Sequence, residues 1–221
     1  MRKQVATDER KKRAKKILAA LAELYPDADC ALRHSDPLQL LIATILSAQS
    51  TDETVNKVTP VLFAKYPTAM AMAEAPSAEI EKIVYSTGFF RQKTKSVQGA
   101  CRKIVEEFGG RVPQTMEQLV ALPGVARKTA NVVLGTGFGK NEGIVVDTHV
   151  IRVAFRLGWT KSKNPEKIEE DMMKIIPRED WARVTWLLKD YGRAVCKAPV
   201  PECSRCALDP HCPKAGGTKS T

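Results

Sequence analysis

Four of the six cysteines crowd into one short stretch near the C-terminus. Cys196, Cys203, Cys206 and Cys212 are spaced C-x6-C-x2-C-x5-C, with Pro199, Pro201, Pro210 and Pro213 shaping the loops between them. Thiols this close point to a four-thiolate metal centre. Tetrahedral zinc and an iron–sulfur cluster both accept four sulfurs, so the spacing leaves the metal open. His211 adjoins the last cysteine, but four sulfurs already complete either site. Lys197 and Arg205 lie inside the ligating loops, where a metal would hold a basic surface in place. Cys30 and Cys101 stand apart and read as structural thiols, Cys101 in the apolar face of a helix.

The segment LPGVARKTANVVLGTG, residues 122–137, holds the second constellation. Pro123-Gly124 forces a tight turn with Gly124 free to take positive φ, and Leu122 and Val125 can plug a core on either side. A helix opening at Arg127 then points its first amides and its dipole at any anion nearby, and a DNA phosphate fits. Lys128 sits beside Arg127 in that first turn. As an isolated feature it reads as an exposed lysine touching phosphate. With positive neighbours and partial burial, its ammonium form is disfavoured and the neutral amine becomes a nucleophile. Asp147, in VVDTHVIRV, reads first as the N-cap of the helix that follows. A carboxylate there can also orient an attacking amine, accept its proton and stabilise a cationic sugar. His149 reads as a packed helix residue.

The elements that must position these residues are helical nearly throughout. Ile17, Leu18, Leu21 and Leu24 mark one apolar face on a first helix that ends before Pro26. Val97, Ala100, Cys101, Ile104, Val105 and Phe108 mark another, stopped by Gly109-Gly110. Further helices are predicted over 37–47, 52–65, 76–85, 114–121, 126–136, 147–157, 164–175 and 180–195, with starts at Asp36-Pro37, Asp52, Pro76 and Asn164-Pro165. Gly143–Val146 is the one strand-like fragment, too short and isolated for a sheet. The fold class is therefore all-α. Hydrophobic content of 43% and charged content of 27% exclude a wholly disordered chain, and 221 residues suffice for two small lobes. No apolar run is long enough to span a bilayer, and the N-terminus lacks a signal-peptide pattern, so a soluble intracellular protein is expected. The net charge of +10 calls for a polyanionic partner, although residues 2–16 hold much of the excess and also read as a solvated basic tail.

LSAQSTDETVNKV at 46–58, LPGVARKTANVVL at 122–134, VDTH at 146–149 and the complete cysteine spacing resemble the endonuclease III family of helix-hairpin-helix DNA glycosylases. The resemblance implies two helical lobes flanking a DNA-binding cleft: a six-helix domain over 30–141 containing the hairpin, and a discontinuous domain of residues 1–29 and 142–221 holding the metal. It implies Lys128 and Asp147 as catalytic residues, and a [4Fe–4S] cluster on the four cysteines. It also implies a monomer acting on double-stranded DNA with oxidised pyrimidines (thymine glycol, 5-hydroxycytosine) or abasic sites. Base removal would proceed through a lysine Schiff base and β-elimination, in the nucleoid or cytoplasm if the source is bacterial. Gln49 matches the family glutamine inserted into the duplex. In Thr87–Arg91, Phe89 stands where the opposing wedge usually has leucine.

Two departures bear on efficiency and lesion range. Ala126 replaces a glycine of the hairpin, where a Cβ would crowd a phosphate or a positive-φ backbone, and Phe89 is a bulkier wedge. Gly124, Ala126 and Arg127 remain the expected DNA contacts of the hairpin. An adenine glycosylase of the same superfamily would lack a lysine at 128 and carry a glutamate where this chain has Thr44. A noncatalytic DNA-binding protein would tolerate loss of Lys128.

Overall fold

The computed structural model describes residues 2–215, with side chains from residue 8 onward, so Arg2 and Lys3 of the basic segment fall outside the described side chains. No strand occurs among the described residues. The helices are α1 (Arg2–Leu24), α2 (Pro37–Leu46), α3 (Asp52–Lys65), α4 (Ala69–Glu74), α5 (Ser77–Val84) and α6 (Phe90–Phe108), followed by α7 (Met116–Val120), α8 (Arg127–Val132), α9 (Thr148–Arg156), α10 (Pro165–Met173) and α11 (Trp181–Ala194). The chain divides into two compact units, residues 30–140 and residues up to 29 together with those from 141 onward. The sequence boundary moves by one residue. Asn141 joins the second unit because its carbonyl accepts from Arg178 Nε, its amide donates to the Glu179 carbonyl, and its side-chain oxygen accepts from the Ala182 N–H.

In the 30–140 unit, α2 through α8 surround one apolar core that includes Leu41, Leu62, Met72, Ile80, Ile104 and Leu119. Helix α6 contributes the periodic face expected of it: Val97, Ala100, Cys101 and Ile104 are buried. It stops at Gly109 and Gly110, both left-handed at φ 59° and 79°. Cap chemistry explains the starts. Asp36 accepts from the Gln39 N–H at 2.9 Å, and α3 begins at Asp52 as expected, although Thr51, not Asp52, supplies the capping oxygen. Helix α4 was not anticipated. Its six residues carry no apolar period, and the capping hydroxyl of Thr68 is its only local mark.

The hairpin between α7 and α8 is seated on α6. Gly124 has φ 76°, and a Cβ there would lie 2.6 Å from Ser96 Cβ. One turn along α6, Gly99 leaves room for Pro123, whose Cβ would stand 3.2 Å from an added methyl. Leu122 and Val125 are buried on either side, as the sequence required. The helix expected over 126–136 leaves α geometry at Val133 and widens into a π turn through Gly137. There Gly137 packs so closely on α2 that a Cβ would meet Leu40 Cδ2 at 3.2 Å.

In the other unit, α9, α10 and α11 pack with α1. The buried segment at 144–146 runs without a strand partner. Its backbone groups are satisfied by side chains instead: the Ile144 N–H donates to Glu169 Oε1 at 3.2 Å and Thr185 Oγ1 donates to the Val145 carbonyl at 2.8 Å. The basic segment is not simply a solvated tail. It is helical, Ala14 and Ile17 are buried, and Arg10 and Arg13 donate to the carbonyls of Trp159 and Leu157 just beyond α9. Lys11, Lys12, Lys15 and Lys16 stay exposed. Leu24, at the helix end, is half exposed rather than part of the apolar face.

The hairpin seat sets a measurable contrast. Gly124→Ala suffers both the left-handed penalty and the clash with Ser96, and should lower unfolding stability by roughly 2–3 kcal/mol. Gly110→Ala, with open space around it, should lose roughly 1 kcal/mol. Urea unfolding midpoints of the two variants check the difference.

Candidate active site and cysteine centre

Gln49, Phe89, Gly124, Ala126, Arg127 and Lys128 all belong to the 30–140 unit. Lys128 occupies the first turn of α8, and its side chain is exposed, not partly buried as expected. The inward positions around the hairpin are taken by Leu122, Val125 and Ala130. Arg127 beside it is exposed as well. Ala126 is the N-cap residue, with φ −89° and ψ 167°. That is ordinary extended backbone, so alanine introduces no strain, and of the two concerns raised by this substitution only the space taken by Cβ persists. Its methyl offers no acceptor to the first-turn amides of α8.

Among the described residues only three non-glycine residues have positive φ, and Gln49 and Phe89 are two of them, at 52° and 47°. Both are exposed, Phe89 by 67%. A side chain in the left-handed region costs about 1–2 kcal/mol and persists only where its surroundings impose it, which is common at functional sites. Of the two adjacent phenylalanines, Phe90 does the packing. It lies partly buried against the core, with the Tyr85 ring 4.9 Å away and the Arg91 guanidinium 5.4 Å over its face. Tyr85, also 67% exposed, is an aromatic neighbour that no spacing in the sequence marked out.

Asp147 lies in the other unit and is half-buried. Its Oδ1 accepts from the Val150 N–H at 2.8 Å, the expected N-cap of α9, and its Oδ2 has no hydrogen-bond partner among the described residues. The cap thus engages one of the two carboxylate oxygens. His149 is held by Arg152, which donates to its Nδ1 at 3.2 Å. Burial, with the nearby Arg152, Arg193 and Lys189, pushes its pKa below the ordinary imidazole value against the opposing pull of Asp147. It is a half-buried, packed residue, as expected.

Cys196, Cys203, Cys206 and Cys212 all line one pocket. Polar groups converge on the sulfurs. Arg156 Nη1 is 3.4 Å from Cys196 Sγ, the Tyr191 hydroxyl 2.6 Å from Cys206 Sγ, and the Lys214 N–H 3.4 Å from Cys212 Sγ. Burial raises the pKa of the Cys196 and Cys212 thiols, while the Arg156 guanidinium lowers that of Cys196 and the Lys214 N–H that of Cys212. Arg156 and Arg152 escaped the sequence reading, since arginines on an amphipathic helix normally face water. Here Arg156 also donates to the carbonyls of Cys196, Lys197 and Pro199, and Arg152 to those of Cys196 and Gly192. Cys101 is a core thiol, its pKa pushed up to about 12 by burial, and Cys30 packs against the same core.

Residues 42–178 match the HhH-GPD superfamily base excision DNA repair protein family. The chain is 57% identical to endonuclease III of Synechocystis sp. over 206 residues, 93% of this chain and 94% of that protein. It is 39% identical to endonuclease III of Escherichia coli over 196 residues, 89% and 92% of the two chains. Among solved structures it is similar to a trapped endonuclease III–DNA covalent intermediate with an estranged adenine, at TM-score 0.85 and 41% identity, covering 92% of this chain and 96% of that one. A non-covalent endonuclease III–DNA complex matches at TM-score 0.85 and 42% identity, over 92% and 95%. The chain belongs to the HhH-GPD superfamily of base excision DNA repair proteins and, within it, to the endonuclease III family.

Proposed function

We propose that Lys128 is the nucleophile and Asp147 its carboxylate partner in a DNA glycosylase/AP lyase reaction on oxidised pyrimidines. The observation that carries this reading is an exposed lysine on the first turn of the hairpin helix, in a chain so similar to one caught as a covalent DNA intermediate. The base must first leave the stack, because C1′ is shielded within an intact duplex. Exposed Gln49 and Phe89, both on backbone already committed to a left-handed turn, suit the filling of the space it vacates. The Lys128 amine then forms a bond to C1′ as the glycosidic C1′–N bond breaks, and the base departs with the bonding electrons. Asp147 takes the amine proton through the oxygen not used as a cap. Ring opening yields the Schiff base, and loss of a C2′ proton expels the 3′ phosphate by β-elimination.

The four clustered cysteines fit a [4Fe–4S] cluster. Four thiolates are the ligand set such a cluster takes, and all four come from a single stretch of chain and line one pocket. Donors directed at the sulfurs also suit bound thiolates. When bound, the cluster supplies four iron–thiolate bonds that tie the 196–212 loops together, a structural duty. Arg156 orients the Cys196–Pro199 loop, and Tyr191 supports Cys206.

Three tests follow from these roles, one each for the lysine, the aspartate and the metal. Borohydride should trap wild-type protein on a thymine glycol duplex and fail with Lys128→Ala; trapping by the alanine variant would remove Lys128 from the mechanism. Asp147→Asn preserves the helix cap, so its Tm should match wild type while base release slows by roughly 100-fold or more. Equal loss of stability and rate would reduce Asp147 to a cap. For the metal, purified protein should carry four irons per chain. Arg156→Ala should lose the brown chromophore faster in air, and stoichiometric zinc without iron would contradict the cluster.

A further inference from the structure

Lys93 is a lysine that the reaction above does not use, and it is almost completely buried, at 5% exposure. It lies in the first turn of α6, directly after the wedge loop. Its ammonium donates to the Thr87 carbonyl at 2.7 Å, and its backbone N–H donates to the Phe89 carbonyl at 3.0 Å. The two bonds bracket Gly88 at φ 71° and Phe89 at φ 47°, the positions where the backbone is left-handed. Thr87 is itself anchored: it is buried, and its hydroxyl donates to the Val84 carbonyl at 2.7 Å.

A buried ammonium is costly to keep in a helix whose surface is otherwise full of solvated charge. Desolvation pulls its pKa below the ordinary lysine value. A charge-assisted bond to a carbonyl is what such a group offers in return, and that bond falls on the loop bearing Phe89. We infer that Lys93 is a positioning residue that holds the Phe89 wedge in its left-handed, exposed conformation before DNA arrives. This rests on the reading of Phe89 as the wedge. A wedge fixed in advance loses little conformational freedom when it enters the duplex, so the clamp favours binding of the unstacked state.

The test uses a duplex with a tetrahydrofuran abasic analogue opposite 2-aminopurine, whose fluorescence rises when that base is unstacked. Wild type should produce the rise and Phe89→Gly should not; equal signals from these two would remove the wedge reading and this inference with it. Lys93→Met keeps the apolar stem and loses the donors. It should weaken duplex binding by about tenfold and abolish most of the rise. Lys93→Arg should restore both. Borohydride trapping on a single-stranded abasic oligonucleotide, which needs no wedge, should be unchanged in Lys93→Met. In a Phe89→Gly background, Lys93→Met should have no further effect on duplex binding. A wild-type rise from Lys93→Met, an equal loss of single-strand trapping, or an undiminished effect in the glycine background would each overturn the clamp. Should Lys93→Met fail to fold, hydrogen exchange on wild type decides. Amides of residues 88–93 protected equally with and without DNA support a preformed wedge, and protection acquired only with DNA refutes it.

Discussion

The close approach of Gly124 to Ser96 is the contact on which the 30–140 unit is organised. No side chain other than hydrogen fits between that turn and α6, where an added Cβ would come within 2.6 Å of Ser96 Cβ. The approach fixes the start of α8, and therefore Arg127 and Lys128, against one side of α6. The same helix begins at the Phe89 loop and sends Val97, Cys101 and Ile104 into the core. The hairpin and the Phe89 loop are thus mounted on a single helix. Precision of this kind suits a reaction that must hold a distorted duplex while a nucleophile reaches one carbon atom.

In the other unit the economy is different. Asp147 closes the N-terminus of α9 with one carboxylate oxygen, and two arginines farther along that helix grip the loop that opens the cysteine cluster. Arg10 and Arg13 bind carbonyls just past its C-terminus. Helix α9 therefore links the carboxylate, the cysteine loop and the N-terminal helix through its own hydrogen bonds. The half-buried arginines do here what a strand partner or a longer core would do elsewhere: they satisfy carbonyls that irregular backbone leaves open.

Much of this was legible in the chain. The period of α6, its glycine stop, the caps at Asp36, Asn164 and Asp147, and the turn at Pro123-Gly124 are local chemistry, and each appears where local rules put it. What escaped depends on neighbours distant in sequence. The π turn at Val133–Gly137 lies where Gly137 meets Leu40, and α4 has too few residues to show a period. Exposure of Lys128, the choice of Phe90 over Phe89 for packing, and the burial of Lys93 and Arg156 are decided by which face of a helix the fold covers. Charge patterning treats every such lysine or arginine as solvated. Ala126 shows the reverse case: a substitution that looked strained in the sequence sits on extended backbone.

The central claim is that one amine, on the first turn of α8, makes the covalent bond to DNA. Peptide mapping of the borohydride-reduced adduct with an abasic duplex tests it most directly. The account predicts the sugar remnant on Lys128 alone. A remnant on Lys93, on another lysine or on the N-terminal amine would contradict it.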